Sequence, residues 1–176
     1  MYNAASENKY GVDVTKVTVR LTYWGLIIGI MSPGLILLVG YMLEGADRQT
    51  FSDPARQQFF FWIFVGLSVI GAVSAFFFKK TFFAKPIIKS EKTFAADFAE
   101  SMLTNSIIIY MMIESISIFG LVYFFLGGDL DGLMLFCLIS VIVFQLIRPR
   151  PGFVEETLAL QERLVSEGKL FRPAGK

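Results

Sequence analysis

The sequence predicts an all-α membrane protein, a bundle of four transmembrane helices with cytoplasmic N- and C-termini and a short C-terminal amphipathic helix. Three observations predict it. Four apolar runs, at about 21–43, 59–78, 102–126 and 130–147, have the length needed to cross a hydrocarbon layer of roughly 30 Å. Of the 176 residues, 55% are hydrophobic and only 18% charged, with a mean hydropathy of +0.60, and the charges lie between the runs. A soluble domain this apolar would expose too much greasy surface to stay dispersed. Finally, the basic residues are distributed one-sidedly, as described below. The chain therefore divides into a cytoplasmic segment 1–20, a transmembrane domain 21–147 and a cytoplasmic tail 148–176.

Residues 1–20 are polar and mixed in charge. The first apolar run starts too late and is too long for a signal peptide, and no small-residue cleavage site follows it, so the N-terminus is expected to be retained. The first run, 21–43, carries Gly25 and Gly29 at a spacing that lets another helix approach closely. Pro33 and Gly34 sit at its middle. Proline removes one backbone hydrogen bond there and kinks the helix. The kink is read as a packing feature, with a hinge or broken helix at a binding site as the alternative.

The second run, 59–78, is bounded by Phe59–Trp62 and Phe76–Phe78, aromatic ends suited to the membrane interface. Ser68, Gly71, Ala72 and Ala75 share one face, a small-residue strip for tight helix packing. The loop 79–100 carries five lysines. From about residue 91 its pattern turns helical, with Phe94, Phe98 and Met102 four apart. It is read as an extension of the third membrane helix or as a piece lying on the bilayer surface. Gly127, Gly128 and Asp129 break the third run. The fourth, 130–147, is only just long enough to span and ends at Arg148-Pro149. Residues 153–167 read as an amphipathic helix with Val154, Leu158, Gln161 and Val165 on its mostly apolar stripe and Gly168 as its stop.

Orientation follows from the cations. Fourteen of the sixteen basic residues lie in the N-terminal segment, the second loop and the C-terminal tail; the other two, Arg48 and Arg56, are in the first loop. Cationic flanks resist translocation, so those three segments belong on the cytoplasmic side, as in a multi-pass protein of a bacterial-type inner membrane. Lys79, Lys80 and Lys85 could attract anionic lipid head groups, although topology alone explains them. The dispersed cations give no reason to expect nucleic-acid binding.

Several classes of chemistry are excluded. Histidine is absent, which removes the usual haem b ligand, the commonest metal ligand and the base of hydrolytic triads. The single cysteine, Cys137, lies in an apolar run and is read as a small packed side chain. No metal or cofactor is expected, and nothing indicates independent catalytic activity.

Glu114 is the one charged residue buried deep within a membrane run, twelve residues from either end of 102–126, whereas Asp131 stands at the very edge of the fourth run. An ionised carboxylate at that depth costs about 3 kcal/mol or more. With no Lys, Arg or His at membrane depth, it must be neutral at rest or paired from outside the chain. Ser106, Tyr110, Glu114 and Ser117 recur at spacings of four, four and three, a polar stripe that should face a partner helix or a cavity. Glu114 either seals a helix contact or binds and releases a proton or small cation, with the other three as hydrogen-bond partners.

Ile107 to Val122, with Glu114 followed by small and apolar residues and Gly120-Leu121-Val122, resembles the carboxylate helix of the c-type proteolipids of rotary ATPases. The second and third runs, joined by a loop containing Ala84-Lys85-Pro86, resemble the proteolipid hairpin. The resemblance implies proton or cation translocation with Glu114 as the ion-carrying group, in a complex with copies of itself or other membrane subunits. The second run lacks the dense glycines of that family, and the first and fourth helices are additions to it. The other expectation is a non-catalytic accessory subunit of a larger membrane complex.

Overall fold

The computed structural model describes residues 9–45 and 53–171. Among these, every regular element is a helix. They are α1 (Val14–Leu26), a π-helical turn (Ile27–Met31), α2 (Ser32–Glu44), α3 (Pro54–Ala84), a 3-10 turn (Glu91–Thr93), α4 (Phe94–Phe125), α5 (Leu130–Ile147) and α6 (Pro151–Ser166). Four helical stretches are long and apolar enough to cross a membrane: Val14–Glu44, Pro54–Ala84, Glu91–Phe125 and Leu130–Ile147. This is the pattern of a multi-pass membrane protein. Arg48, in the first loop, and Arg172 and Lys176, in the tail, lie outside the described residues.

The chain forms two compact units. Among the described residues, one contains 9–22, 79–106 and 149–171, and the other contains 23–45, 53–78 and 107–148. In the first unit, Asp13 opens α1 by accepting a hydrogen bond from the Lys16 amide at 2.9 Å. The region after residue 91 is helical and continuous with the third run, so it extends that helix. Its start is held by Asp97, 7% exposed, whose Oδ2 accepts from the Lys89 and Ser90 amides and the Thr93 hydroxyl. Phe94 stacks on Tyr10 and Phe98, and both phenylalanines are buried.

In the same unit, α6 turns Val154, Thr157, Leu158, Gln161 and Val165 inward. Gln161 is fully buried, not merely part of an apolar stripe. Its Oε1 accepts from the Ile87 amide at 3.1 Å, and its Nε2 donates to the carbonyls of Phe83 (3.3 Å) and Lys85 (3.0 Å). One amide thus satisfies backbone groups that the end of α3 leaves without helical partners. Gly168 closes α6 at φ +74°, with its amide on Val165 and the Lys169 amide on Leu164. Lys169 and Arg163 both bond Glu167 there and hold its carboxyl below the usual range.

In the second unit, the 107–125 part of α4 touches α2, α3 and α5. Phe64 of α3 stacks on Phe119, and Phe64, Ile116, Tyr123 and Phe136 form one buried cluster. Phe124, Leu133 and Cys137 form another, against Ile36, Leu37 and Leu43. The α4–α5 turn needs Gly127 at φ +105°, after which Asp129 caps α5 through the Gly132 amide at 2.7 Å. Large apolar side chains face outward along the helices, including Leu35, Leu38 and Met42 of α2 and Trp62, Ile70 and Val73 of α3.

The first apolar helix departs from a simple proline kink. The backbone ladder slips before the proline, in the π-turn, where the Ser32 amide bonds the Ile27 carbonyl five residues back. Pro33 then sits in the first turn of α2, where its missing N–H is tolerated.

Candidate functional site

The second unit contains one buried titratable acid at the depth the sequence singled out. Glu114 is 3% exposed. Its Oε1 accepts a 2.7 Å hydrogen bond from the Ser32 hydroxyl, and its Oε2 has no partner. Ser32 is the first residue of α2, directly after the π-turn. The slip in the ladder and the proline behind it set where this hydroxyl stands. π-Turns inside α-helices recur at functional sites because they re-aim a side chain at the cost of one regular bond.

Around this pair the polar groups are small. Ser117, one turn along α4, is fully buried with its hydroxyl beside the Cys137 thiol. Ser140 of α5, also fully buried, donates to the Ile113 carbonyl at 3.1 Å. Tyr110 is buried with its ring edge-on to Phe144, the centroids 5.4 Å apart. Ser106 shares α4 with them but belongs to the other unit, where its buried hydroxyl is unpartnered. The helix therefore places Tyr110, Glu114 and Ser117 in one unit and Ser106 outside it.

The Phe144 ring lies directly over the first helix. A Cβ added at Gly29 would stand 2.4 Å from its Cγ, and one at Gly25 would stand 2.9 Å from its Cζ. These glycines are the reason α5 can sit beside the π-turn. Pro33 is buried, but Gly34 is exposed, with nothing within 4 Å of where its Cβ would be. One residue is a turn of about 100° around a helix, and that turn takes Gly34 off the face that buries Pro33. On α3, a Cβ added at Gly71 would meet Ser115 and the Met112 carbonyl at ordinary contact distance, Ala75 is fully buried, and Ser68 bonds its own helix at the Phe64 carbonyl.

The lysines separate. Lys79 holds its ammonium 4.6 Å from the centre of the Phe153 ring, and Lys80 lines the same cavity with Phe83, Phe153 and Glu156. Lys85 lines a different one.

Two features went unread in the sequence. Ser32 lies beside the proline, yet its partner is 82 positions away. Gln57 donates to Asp129 (2.8 Å) and to the Tyr123 hydroxyl (3.1 Å), clasping the start of α3 to the α4–α5 turn. A polar residue beside a helix break was the available signal for the first.

Among the described residues no three His, Cys, Asp or Glu side chains are grouped to hold a metal ion. The only described cations of this unit are Arg56 and Arg148, in the first turn of α3 and at the C-terminal cap of α5. Glu114 forms no ion pair among the described residues, so an ionised carboxylate there would be uncompensated by any of them. A proton on Oε2 or a monovalent cation makes it neutral; a divalent ion would leave an excess charge in a medium that penalises it heavily. Comparison with known proteins returns no family model, no curated protein and no solved structure that matches.

Proposed function

We propose that this chain is a small subunit of a membrane complex that binds and releases a proton or a monovalent cation at Glu114. Both termini lie on the cytoplasmic side of a bacterial-type inner membrane. The observation that carries the reading is the half-satisfied carboxyl: Oε1 is engaged by Ser32 at a break in the first helix, while Oε2 is buried without a partner. A buried acid of this kind in a membrane helix marks an ion pathway more often than a neutral core position does. The orientation rests on the cations, and among the described residues those of the N-terminal segment, the second loop and the C-terminal tail, Arg148 excepted, fall in one unit. The resemblance of α3 and α4 to the proteolipid hairpin points the same way.

A hydrophobic carbodiimide tests this in native membranes, since it reacts with protonated carboxyls reached from the lipid phase. Glu114 should be the modified residue on peptide mapping, and modification should slow as the pH rises. Slowing by sodium or lithium identifies a cation; indifference to both identifies a proton. A Glu114 that stays unmodified at every pH counts against the proposal.

The second reading is an accessory subunit in which Glu114 seals a helix contact. It is favoured by the same Ser32 bond, which joins α2 to α4. Gentle extraction followed by native mass spectrometry separates the two. One copy among different proteins, with no carbodiimide modification, fits the accessory role.

A further inference from the structure

A strip of α4 that the Glu114 site does not use carries Glu100, Ser101, Thr104 and Asn105, at spacings of one, three and one. These side chains line a cavity of about 320 Å³ with Lys85 and Lys89. Its remaining walls are apolar, from Phe82, Pro86, Ile87 and Phe171. All of it lies within the first unit. The cavity is shaped by fixed backbone. The Ser101 hydroxyl donates to the Ile87 carbonyl at 3.4 Å, the Lys89 amide is held by Asp97, and the Phe171 amide bonds the Ile88 carbonyl at 2.8 Å.

The charges here are not spent on one another. None of the ion pairs among the described residues involves Lys85, Lys89 or Glu100. Two exposed ammonium groups, one carboxylate, two hydroxyls and a carboxamide therefore face one space beside aromatic and aliphatic walls. We propose that this cavity binds the head group of a glycerophospholipid with one phosphodiester and free hydroxyls, such as phosphatidylglycerol. Lys85 and Lys89 take the phosphate. Glu100, Thr104 and Asn105 take the hydroxyls, and the Phe82 and Phe171 side of the cavity takes the start of the acyl chains. Glu100 is the one carboxylate in the lining, and against the two ammonium groups it leaves one positive charge to match a head group of one negative charge; the Asp97 carboxylate next to Lys89 is already engaged by the Lys89 and Ser90 amides and the Thr93 hydroxyl. A cavity of this size is at the lower end of the range for small-molecule sites, which suits a head group and not a whole lipid.

The inference rests on the membrane reading but not on Glu114. The full chain, purified in a non-ionic detergent, would be titrated with phosphatidylglycerol and phosphatidylcholine and followed by native mass spectrometry. Phosphatidylglycerol should be retained preferentially. Each neutralised lysine should weaken that retention about fivefold, and Lys85→Gln/Lys89→Gln together about 25-fold. Lys92→Gln, in the same loop but outside the cavity, should leave it unchanged. Equal retention of both lipids, or indifference to the double substitution, overturns the proposal. So does displacement by equimolar glycerophosphoglycerol, which would mark a site for a free phosphodiester. Failure of the membrane reading shows separately, as release of the chain from membranes by an alkaline wash.

Discussion

The bond between Ser32 and Glu114 can be weighed by a mutant cycle. Ser32→Ala removes a 2.7 Å hydroxyl bond and leaves both carboxyl oxygens of a 3% exposed acid without partners. Hydrogen bonds between membrane helices are worth about 0.6 kcal/mol on average and up to about 1.7. This one is short and its acceptor is buried, which places it in the upper part of that range. Ser32→Ala should therefore cost about 1–1.7 kcal/mol, a factor of about 5 to 20 in the folded-to-unfolded ratio. Glu114→Gln keeps a carbonyl oxygen in place of Oε1, so Ser32→Ala should cost the same in that background. Glu114→Met keeps the bulk and removes the acceptor, and there the cost of Ser32→Ala should fall to nearly nothing. The assay is reversible unfolding in mixed micelles, titrated with a denaturing detergent. An equal cost of Ser32→Ala in the Glu114 and Met backgrounds would show that the bond contributes nothing.

Two further predictions concern the packing that surrounds the site and the latch of the first unit. Gly29→Ala drives a methyl to 2.4 Å from the Phe144 ring. It should destabilise by about 1–3 kcal/mol, with Phe144→Ala restoring part of the loss; full stability of Gly29→Ala would mean the helices do not meet there. Gln161→Leu leaves the Ile87 amide and the Phe83 and Lys85 carbonyls unpaired. At about 1–3 kcal/mol for each buried group left unsatisfied, α6 should lose hydrogen-exchange protection over 151–166 while 130–147 keeps its own. Unchanged protection of α6 would show that Gln161 is not its latch.

Much of the fold was legible in the residues because hydropathy marks a helix that must satisfy its own backbone. The four apolar runs correspond to four helices long enough to span. The helices extend past the runs, as α3 does over Pro54–Gln58 and Lys79–Ala84, because polar residues continue a helix as readily as apolar ones. The break in the first helix was legible at Pro33, but the π-turn before it was not. A slip of backbone register has no residue type of its own. Glu114 stood out by charge alone. Ser32 did not, since a serine beside a proline is common and only the fold brings position 32 to position 114. Gln161 was hidden for a different reason. It falls at the right spacing for an apolar stripe, and only the carbonyls at the end of α3 give its polarity a purpose.

If Glu114 carries an ion across the bilayer or to a partner within it, removal of its carboxyl abolishes that movement. The most direct measurement is flux into liposomes holding the chain together with any subunits that copurify with it. A trapped pH dye reads proton entry under a potassium diffusion potential, with sodium present or absent. The account predicts entry, or its sodium-coupled equivalent, in the natural chain and background flux in Glu114→Gln, with the variant still folded and inserted. Equal flux in the two proteins would contradict the account and leave Glu114 as a helix contact.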